Sequence, residues 1–186
     1  MNKLVAIVGM AGSGKSVATD YLENKGWEKI YFGGVIYDKM RKEGIEITPD
    51  SQKEYREKTR REYGMGAVAI LLKDKITQAY KNKNTVLDGL YSWDEYLILK
   101  EDFPNLKLIC VACDKELRYQ RIGARVDRPF NRQEIIHRDV TEIENLAKGG
   151  PIAMADYFLL NNGSIEEYET RLLEILEDMD RQEGEK

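Results

Sequence analysis

The chain has 186 residues, of which 42% are hydrophobic, and carries a formal net charge of −4. That length and composition suit one soluble domain with a sizeable core. The acidic balance argues against a general nucleic-acid or membrane-surface partner, and no apolar run is long enough to span a bilayer, so a cytoplasmic protein with neither partner is expected.

In chain order, residues 4–8 (Leu-Val-Ala-Ile-Val) form a continuous apolar run, as expected of a strand buried on both faces. Gly9-Met10-Ala11-Gly12-Ser13-Gly14-Lys15-Ser16 follows and fits G-x-x-x-x-G-K-[ST], placed between that strand and an amphipathic helix. A triphosphate needs donors and positive charge packed more closely than bulky side chains allow. Gly9, Gly12 and Gly14 let successive backbone N–H groups face inward as an anion nest, and the next helix adds its positive end. Lys15 is expected to reach the β/γ-phosphates and Ser16 to place its hydroxyl on Mg²⁺. The motif implies ATP and Mg²⁺ as cofactors, with Gly9, Ala11, Gly12, Ser13, Gly14, Lys15, Ser16 and Val17 as nucleotide-binding candidates. The helix shows Val17, Ala18, Tyr21 and Leu22 at helical spacing and stops at Gly26.

A second strand is expected at residues 29–32, followed by a helical region over 33–80 that would bind the phosphoryl acceptor. Asp38 and Arg41 lie there in an amphipathic stretch suited to closing over a small substrate. Thr48-Pro49-Asp50 reads as a helix start, after which Lys53, Arg56 and Arg60 recur on one face, with Arg61 beside them. Guanidinium groups fixed on a face suit an anionic acceptor, which makes Arg56 and Arg60 substrate-binding candidates. The same helix also reads as a solvated one laced by Glu54–Lys58 and Glu57–Arg61 pairs.

The strand at 85–87 leads into Asp88, a carboxylate placed to face the metal together with Ser16. Gly89 follows, so no adjacent Glu is poised on a water. Tyr91 and Trp93 suggest an aromatic surface for a ring, with Tyr91 the substrate-binding candidate. Cys110 and Cys113 have C-x-x-C spacing, but the strand at 106–111 would turn residues three apart to opposite faces, and no second pair completes a zinc shell. Arg118, Arg121 and Arg125 share a helical face, and Arg128 and Arg132 follow across a proline break. Residues 115–150 therefore read as a lid that carries arginines to the transferring group, with Lys15, Arg121 and Arg125 the catalytic candidates. His137 reads as a surface or lid residue. A last strand at 157–160 precedes a helix with a capping box at Ser164 and Glu167, and Ile165, Tyr168, Leu172, Ile175, Leu176 and Met179 lie on its core stripe. Residues 182–186 read as a frayed tail.

Five strand segments alternating with helices imply an α/β class: one domain over 1–186, a parallel sheet with helices on both faces, and a ligand at the carboxyl ends of the strands. With these residues in hand, the sequence resembles the nucleoside monophosphate kinase branch of P-loop proteins. It resembles more closely a family described as adenylate kinase-related or dephospho-CoA kinase-like. Besides the loop, the matching stretches are Arg60, Tyr63-Gly64, Val68-Ala69, Asp88-Gly89 with Ser92 and Glu95, Arg118 to Arg121, Arg138-Asp139, Glu142, and Ile152 through Tyr157 before Asn161. The resemblance implies the three-layer P-loop NTPase fold with the five-stranded sheet order of those kinases, a helical acceptor-binding insert and a short arginine-bearing lid. It also implies that the loop at Asn161 to Ser164, Gly163 included, lies against the adenine. An adenylate kinase has an Arg soon after its Asp-Gly element, whereas this chain has Leu90-Tyr91-Ser92-Trp93. The expected activity is phosphoryl transfer from ATP–Mg²⁺ to a small nucleotide-like acceptor, with oligomeric state open. The alternative is a nucleotide-dependent switch or slow NTPase module controlling a partner, against which stand the lack of an Asn-Lys-x-Asp element and of an acidic residue after Asp88.

Overall fold

Short apolar strands separated by longer amphipathic helices give five parallel strands: β1 (Leu4–Val8), β2 (Glu28–Tyr31), β3 (Thr85–Asp88), β4 (Lys107–Ala112) and β5 (Tyr157–Leu160). Their order is β2-β3-β1-β4-β5. The structure is a computed structural model that describes residues 2–126 and 129–184; Arg128 and the last two residues of the expected tail lie outside them. The helices are α1 (Lys15–Asn24), α2 (Phe32–Lys42), α3 (Pro49–Tyr63), α4 (Ala67–Asn82), α5 (Trp93–Asp102), α6 (Lys115–Gly123), α7 (Arg132–Leu146), α8 (Gly149–Ala153) and α9 (Ile165–Gly184). Among the described residues, no helix is long and apolar enough to cross a membrane.

β1 pairs on both edges and every one of its residues is buried, which accounts for its unbroken apolar sequence. Leu4, Ala6 and Val8 turn to one face, where they pack with Leu87, Leu108 and Cys110 against Leu72 and Ile76 of α4 and Leu99 of α5. Val5 and Ile7 turn to the other, against Ala18 and Leu22 of α1 and Tyr168, Leu172 and Met179 of α9. Burial of one such leucine stabilises the fold by about 2 kcal/mol. Helices on both faces leave the carboxyl ends of the strands as the open rim on which the phosphate loop sits.

Local signals hold where their physics is local. Thr48 caps α3, its Oγ1 accepting the Ser51 amide at 3.1 Å with Pro49 in the first turn. Ser164 and Glu167 form the expected box before α9. Ile165, however, is 62% exposed and lies off the buried stripe. Phe32, read as a strand residue, instead begins α2, because an apolar residue at such a junction is buried under either period. The expected tail is helical through Gly184, where Asp178 accepts from Gln182 Nε2 at 2.8 Å across one turn. Cys110 is buried in β4 and Cys113 lies half-buried past its end, both free.

The shared arginine face does not survive folding. α6 ends at Gly123, before Arg125, and Arg118 turns inward, where it is 7% exposed. Arg118 Nη1 donates to the Ala11 carbonyl at 2.6 Å and Nη2 to Asp139 Oδ2 at 2.7 Å, so one guanidinium ties the loop, α6 and α7 together. Tyr119 Oη donates to the same carboxylate at 3.2 Å. Removing one partner of a buried ion pair strands the other charge. Asp139→Ala is therefore expected to destabilise the protein by about 3–5 kcal/mol, read as a lowered urea midpoint at constant slope. Glu116→Ala breaks only the exposed pair with Arg132 and is expected to leave the midpoint nearly unchanged.

Candidate functional site

The loop between β1 and α1 is possible only with glycine at three positions. Gly9, Gly12 and Gly14 have φ of +138°, +78° and +100°. A Cβ at Gly9 would stand 2.5 Å from the Val111 carbonyl, one at Gly12 2.7 Å from Ile122 Cγ1, and one at Gly14 2.1 Å from Asn161 Nδ2. The loop is thus clamped between the end of β4, α6 and the turn after β5. Asn161 Nδ2 completes the clamp by donating to the Ser13 carbonyl at 2.7 Å.

Lys15 Nζ curls over this loop and donates to the carbonyls of Gly9 and Met10 at 2.9 and 3.0 Å. Burial pushes its ammonium down to about 7; nearby Lys148 adds to the effect, and Glu142 and Asp88 oppose it. Carbonyl dipoles alone balance a buried cation poorly, so the position favours an incoming anion. Ser13 Oγ is buried without a hydrogen-bond partner among the described residues, a second unsatisfied polar group in the same cradle. The residues present therefore fit a polyphosphate.

A cavity of about 410 Å³ opens above the loop, lined by Gly12, Gly14, Lys15, Ser16, Asp88, Arg121 and Arg125 among others. A second cavity of about 230 Å³ adjoins it, lined by Arg56, Arg60, Glu95 and Glu142 together with Ile36 and Val68. Tyr31, Tyr91 and Arg138 line both and so form their common wall. Ser16 and Asp88 face the larger cavity together; burial raises the Asp88 carboxyl, and Lys29 and Lys15 pull it back. Among the described residues no cluster of three His, Cys, Asp or Glu could hold a metal. One hydroxyl and one carboxylate nevertheless suit Mg²⁺, which keeps waters and takes phosphate oxygens rather than an all-protein cage.

Of the residues expected at the site, Ala11, Arg121 and Arg125 join the loop around the larger cavity, and Arg56, Arg60 and Tyr91 line the smaller one. Arg121 Nη1 donates to the Asn161 carbonyl at 3.0 Å and approaches Cys113 Sγ at 3.3 Å. Val17 packs into the α1 core instead of lining the cavity, and exposed Gly163 sits beside Glu167 in the turn that presents Asn161. Asp38 and Arg41 are not brought to either cavity. They pair with each other at 3.2 Å on the outer side of α2, because Phe32, Ile36 and Met40 occupy its inward stripe. The expected Glu54–Lys58 and Glu57–Arg61 pairs do not form among the described residues, and Lys58 lies 4.0 Å from Glu43 instead. Trp93 stacks obliquely on Tyr96 at 5.3 Å beneath Gly150, away from both cavities. His137 is exposed on α7.

Tyr31, Arg138, Glu142 and Lys148 are site neighbours to which the sequence assigned no role. Arg138 and Glu142 share a helical face at i,i+4 spacing, a signal sufficient to pair them but not to aim them. Tyr31 carried no signal, since its place depends on where β2 ends beside β3.

A family model described as an AAA domain matches residues 5–145. A UPF0200 protein of Thermococcus kodakarensis is 33% identical over 181 residues, covering 95% of this chain and 97% of the relative. Among solved structures, TT1252 from Thermus thermophilus aligns with a TM-score of 0.66 at 19% identity, over 95% of this chain and 97% of that one. Shikimate kinase from Acinetobacter baumannii, in complex with shikimate, aligns with a TM-score of 0.63 at 19% identity, over 98% and 95%. These two likenesses show a shared P-loop kinase-like fold.

The loop's tolerance of side chains separates crowding from backbone strain. Gly14→Ala meets Asn161, whereas Gly26→Ala, also at positive φ (+89°), meets nothing within 4 Å. Each pays about 1–2 kcal/mol of left-handed strain. Only Gly14→Ala is expected to abolish ATP binding, as measured by titration calorimetry.

Proposed function

The chain belongs to the AAA-domain family and to the UPF0200 proteins, and we propose that it is an ATP–Mg²⁺-dependent kinase acting on a small, anionic, nucleotide-like acceptor. The observation that carries this reading is the common wall. One cavity lies on the phosphate loop, the other is lined by Arg56 and Arg60, and they meet at Tyr31, Tyr91 and Arg138. Transfer between two bound substrates requires such adjacency, because positioning and charge neutralisation do most of the work.

ATP bound with Mg²⁺ supplies the γ-phosphoryl group and a divalent charge at its oxygens. In this reading Lys15 and the inward N–H groups of the loop hold the phosphate chain, and Ser16 with Asp88 holds the metal or its waters. Arg121 and Arg125 neutralise charge developing on the transferring group. Arg56 and Arg60 hold the acceptor's anionic end, while Tyr31 and Tyr91 exclude water beside it. Residues 33–80 then act as the acceptor-binding region and 115–150 as the lid. Gly89 supports transfer over hydrolysis: it offers no water-activating base after Asp88, and at φ +103°, with Phe32 Cβ 3.2 Å from where a side chain would start, a larger residue there would be strained.

The test is coupled ADP release from ATP–Mg²⁺, screened against nucleoside monophosphates, deoxynucleoside monophosphates and dephospho-CoA. One acceptor is expected to stimulate turnover, and Lys15→Ala to lower kcat by about a thousandfold with unchanged melting. Arg60→Ala is expected to raise the acceptor KM by about tenfold while leaving the ATP KM in place. A flat response across the panel with ATP bound would overturn the reading in favour of a nucleotide-dependent switch.

A further inference from the structure

Lys148 is a buried cation to which the phosphoryl-transfer scheme gives no task. It is 3% exposed, its Nζ donates to Glu142 Oε2 at 2.5 Å, and it stands 4.7 Å from the centre of the Tyr91 ring. The other oxygen of Glu142 accepts from Arg138 Nε at 3.0 Å. Both residues that this ion pair touches, Tyr91 and Arg138, belong to the wall shared by the two cavities.

The chain leaves helical geometry just before Lys148. Ala147, the C-cap of α7, has φ +47° and ψ +40°, and among the described residues it is the one non-glycine at positive φ. That conformation costs about 1–2 kcal/mol for an L residue. Burying the lysine costs more unless its pairing is complete. Ile135 and the Asp139–Arg118 pair fix the first half of α7, and the Lys148–Glu142 pair lies at its other end. A buried lysine held by a carboxylate, in a pair laid against two residues of the shared wall, points to a role in the cleft.

We propose that Lys148 is a positioning residue: clamped by Glu142 and laid on the Tyr91 ring, it fixes Arg138 and Tyr91 as the wall across which a phosphoryl group passes. The inference rests on the kinase reading for its reaction, but not for its geometry. Because Lys148 occupies one oxygen of Glu142, the carboxylate holds Arg138 through Nε and leaves the rest of the guanidinium available to the cavities. Without Lys148, Glu142 is free to take Arg138 in a bidentate grip and draw it from the wall. Tyr91 loses at the same time the cation that orients its ring.

The test titrates ADP and inorganic tetrapolyphosphate into the wild type, Lys148→Met and the double variant Glu142→Leu/Lys148→Met, with thermal melting alongside. ADP probes the loop; a chain of four phosphates extends beyond it to the wall. Lys148→Met is expected to weaken tetrapolyphosphate by about tenfold and ADP by less than about twofold, since misplacing one positioned group is enough for such a loss. The double variant replaces the ion pair with apolar groups of similar size and is expected to melt near the wild type, yet to keep the selective loss. With Glu142 gone, Arg138 has no carboxylate to hold it at the wall and Tyr91 no cation, so the double variant reports on the Lys148–Glu142 clamp as a unit even if the single variant is poorly folded. Equal weakening of both ligands, unchanged tetrapolyphosphate binding, or a loss that disappears with restored stability would overturn the proposal. Acceptor-stimulated turnover of the wild type is read separately: its absence alongside intact tetrapolyphosphate selectivity would refute the kinase reading and leave Lys148 in its place.

Discussion

The guanidinium of Arg118 fixes the frame on which the rest of the cleft is hung. It spans from the Ala11 carbonyl, inside the phosphate loop, to the Asp139 carboxylate on α7, residues far apart in sequence. A buried charge of this kind holds only when its hydrogen bonds are well made, so loop, α6 and α7 must keep one arrangement. Once Asp139 points inward, the other faces of α7 follow from helical geometry. Ile135 joins the small core under α6, Arg138, Glu142 and Leu146 face the smaller cavity, and Ile136, Val140 and Ile143 are left to solvent.

Charge is distributed against the chain's overall sign. The formal net charge is −4, yet Lys15, Arg121, Arg125, Arg138, Arg56 and Arg60 converge on two adjoining cavities. Low-dielectric walls focus such a field, so the cleft is locally positive in a chain that is negative overall. The carboxylates inside have separate duties. Glu95 spends Oε2 on the amides of Tyr91 and Ser92, which sets the turn after β3, and Glu142 divides its oxygens between Arg138 and Lys148. Asp88 remains as the carboxylate facing Ser16 across the larger cavity.

Legibility followed the range of the interaction. The loop could be read whole, because its chemistry lies in eight consecutive residues whose glycines must accept positive φ wherever the chain goes. β1 and β5 were readable to the residue, and the capping box at Ser164 and Glu167 was too, since it is satisfied within a few positions. Periodicity could place Arg118, Arg121 and Arg125 on one helix face, but not foresee that Arg118 would find Asp139 or that the helix would end before Arg125. In the same way it marked Asp38 and Arg41 as polar residues on an amphipathic helix without telling which neighbour the apolar side would meet.

By itself, then, the sequence determined the α/β alternation, the glycine-rich P-loop turn and the charged residues available to the cleft, all set by residues within a turn or strand of one another. Tertiary structure alone decided which of those charges share a cavity. The meeting of Tyr31, Tyr91 and Arg138, and the burial of Lys148 against Glu142, depend on where β2, β3 and α7 come together in space. No local propensity encodes that meeting, because it is the sum of packing on both faces of the sheet.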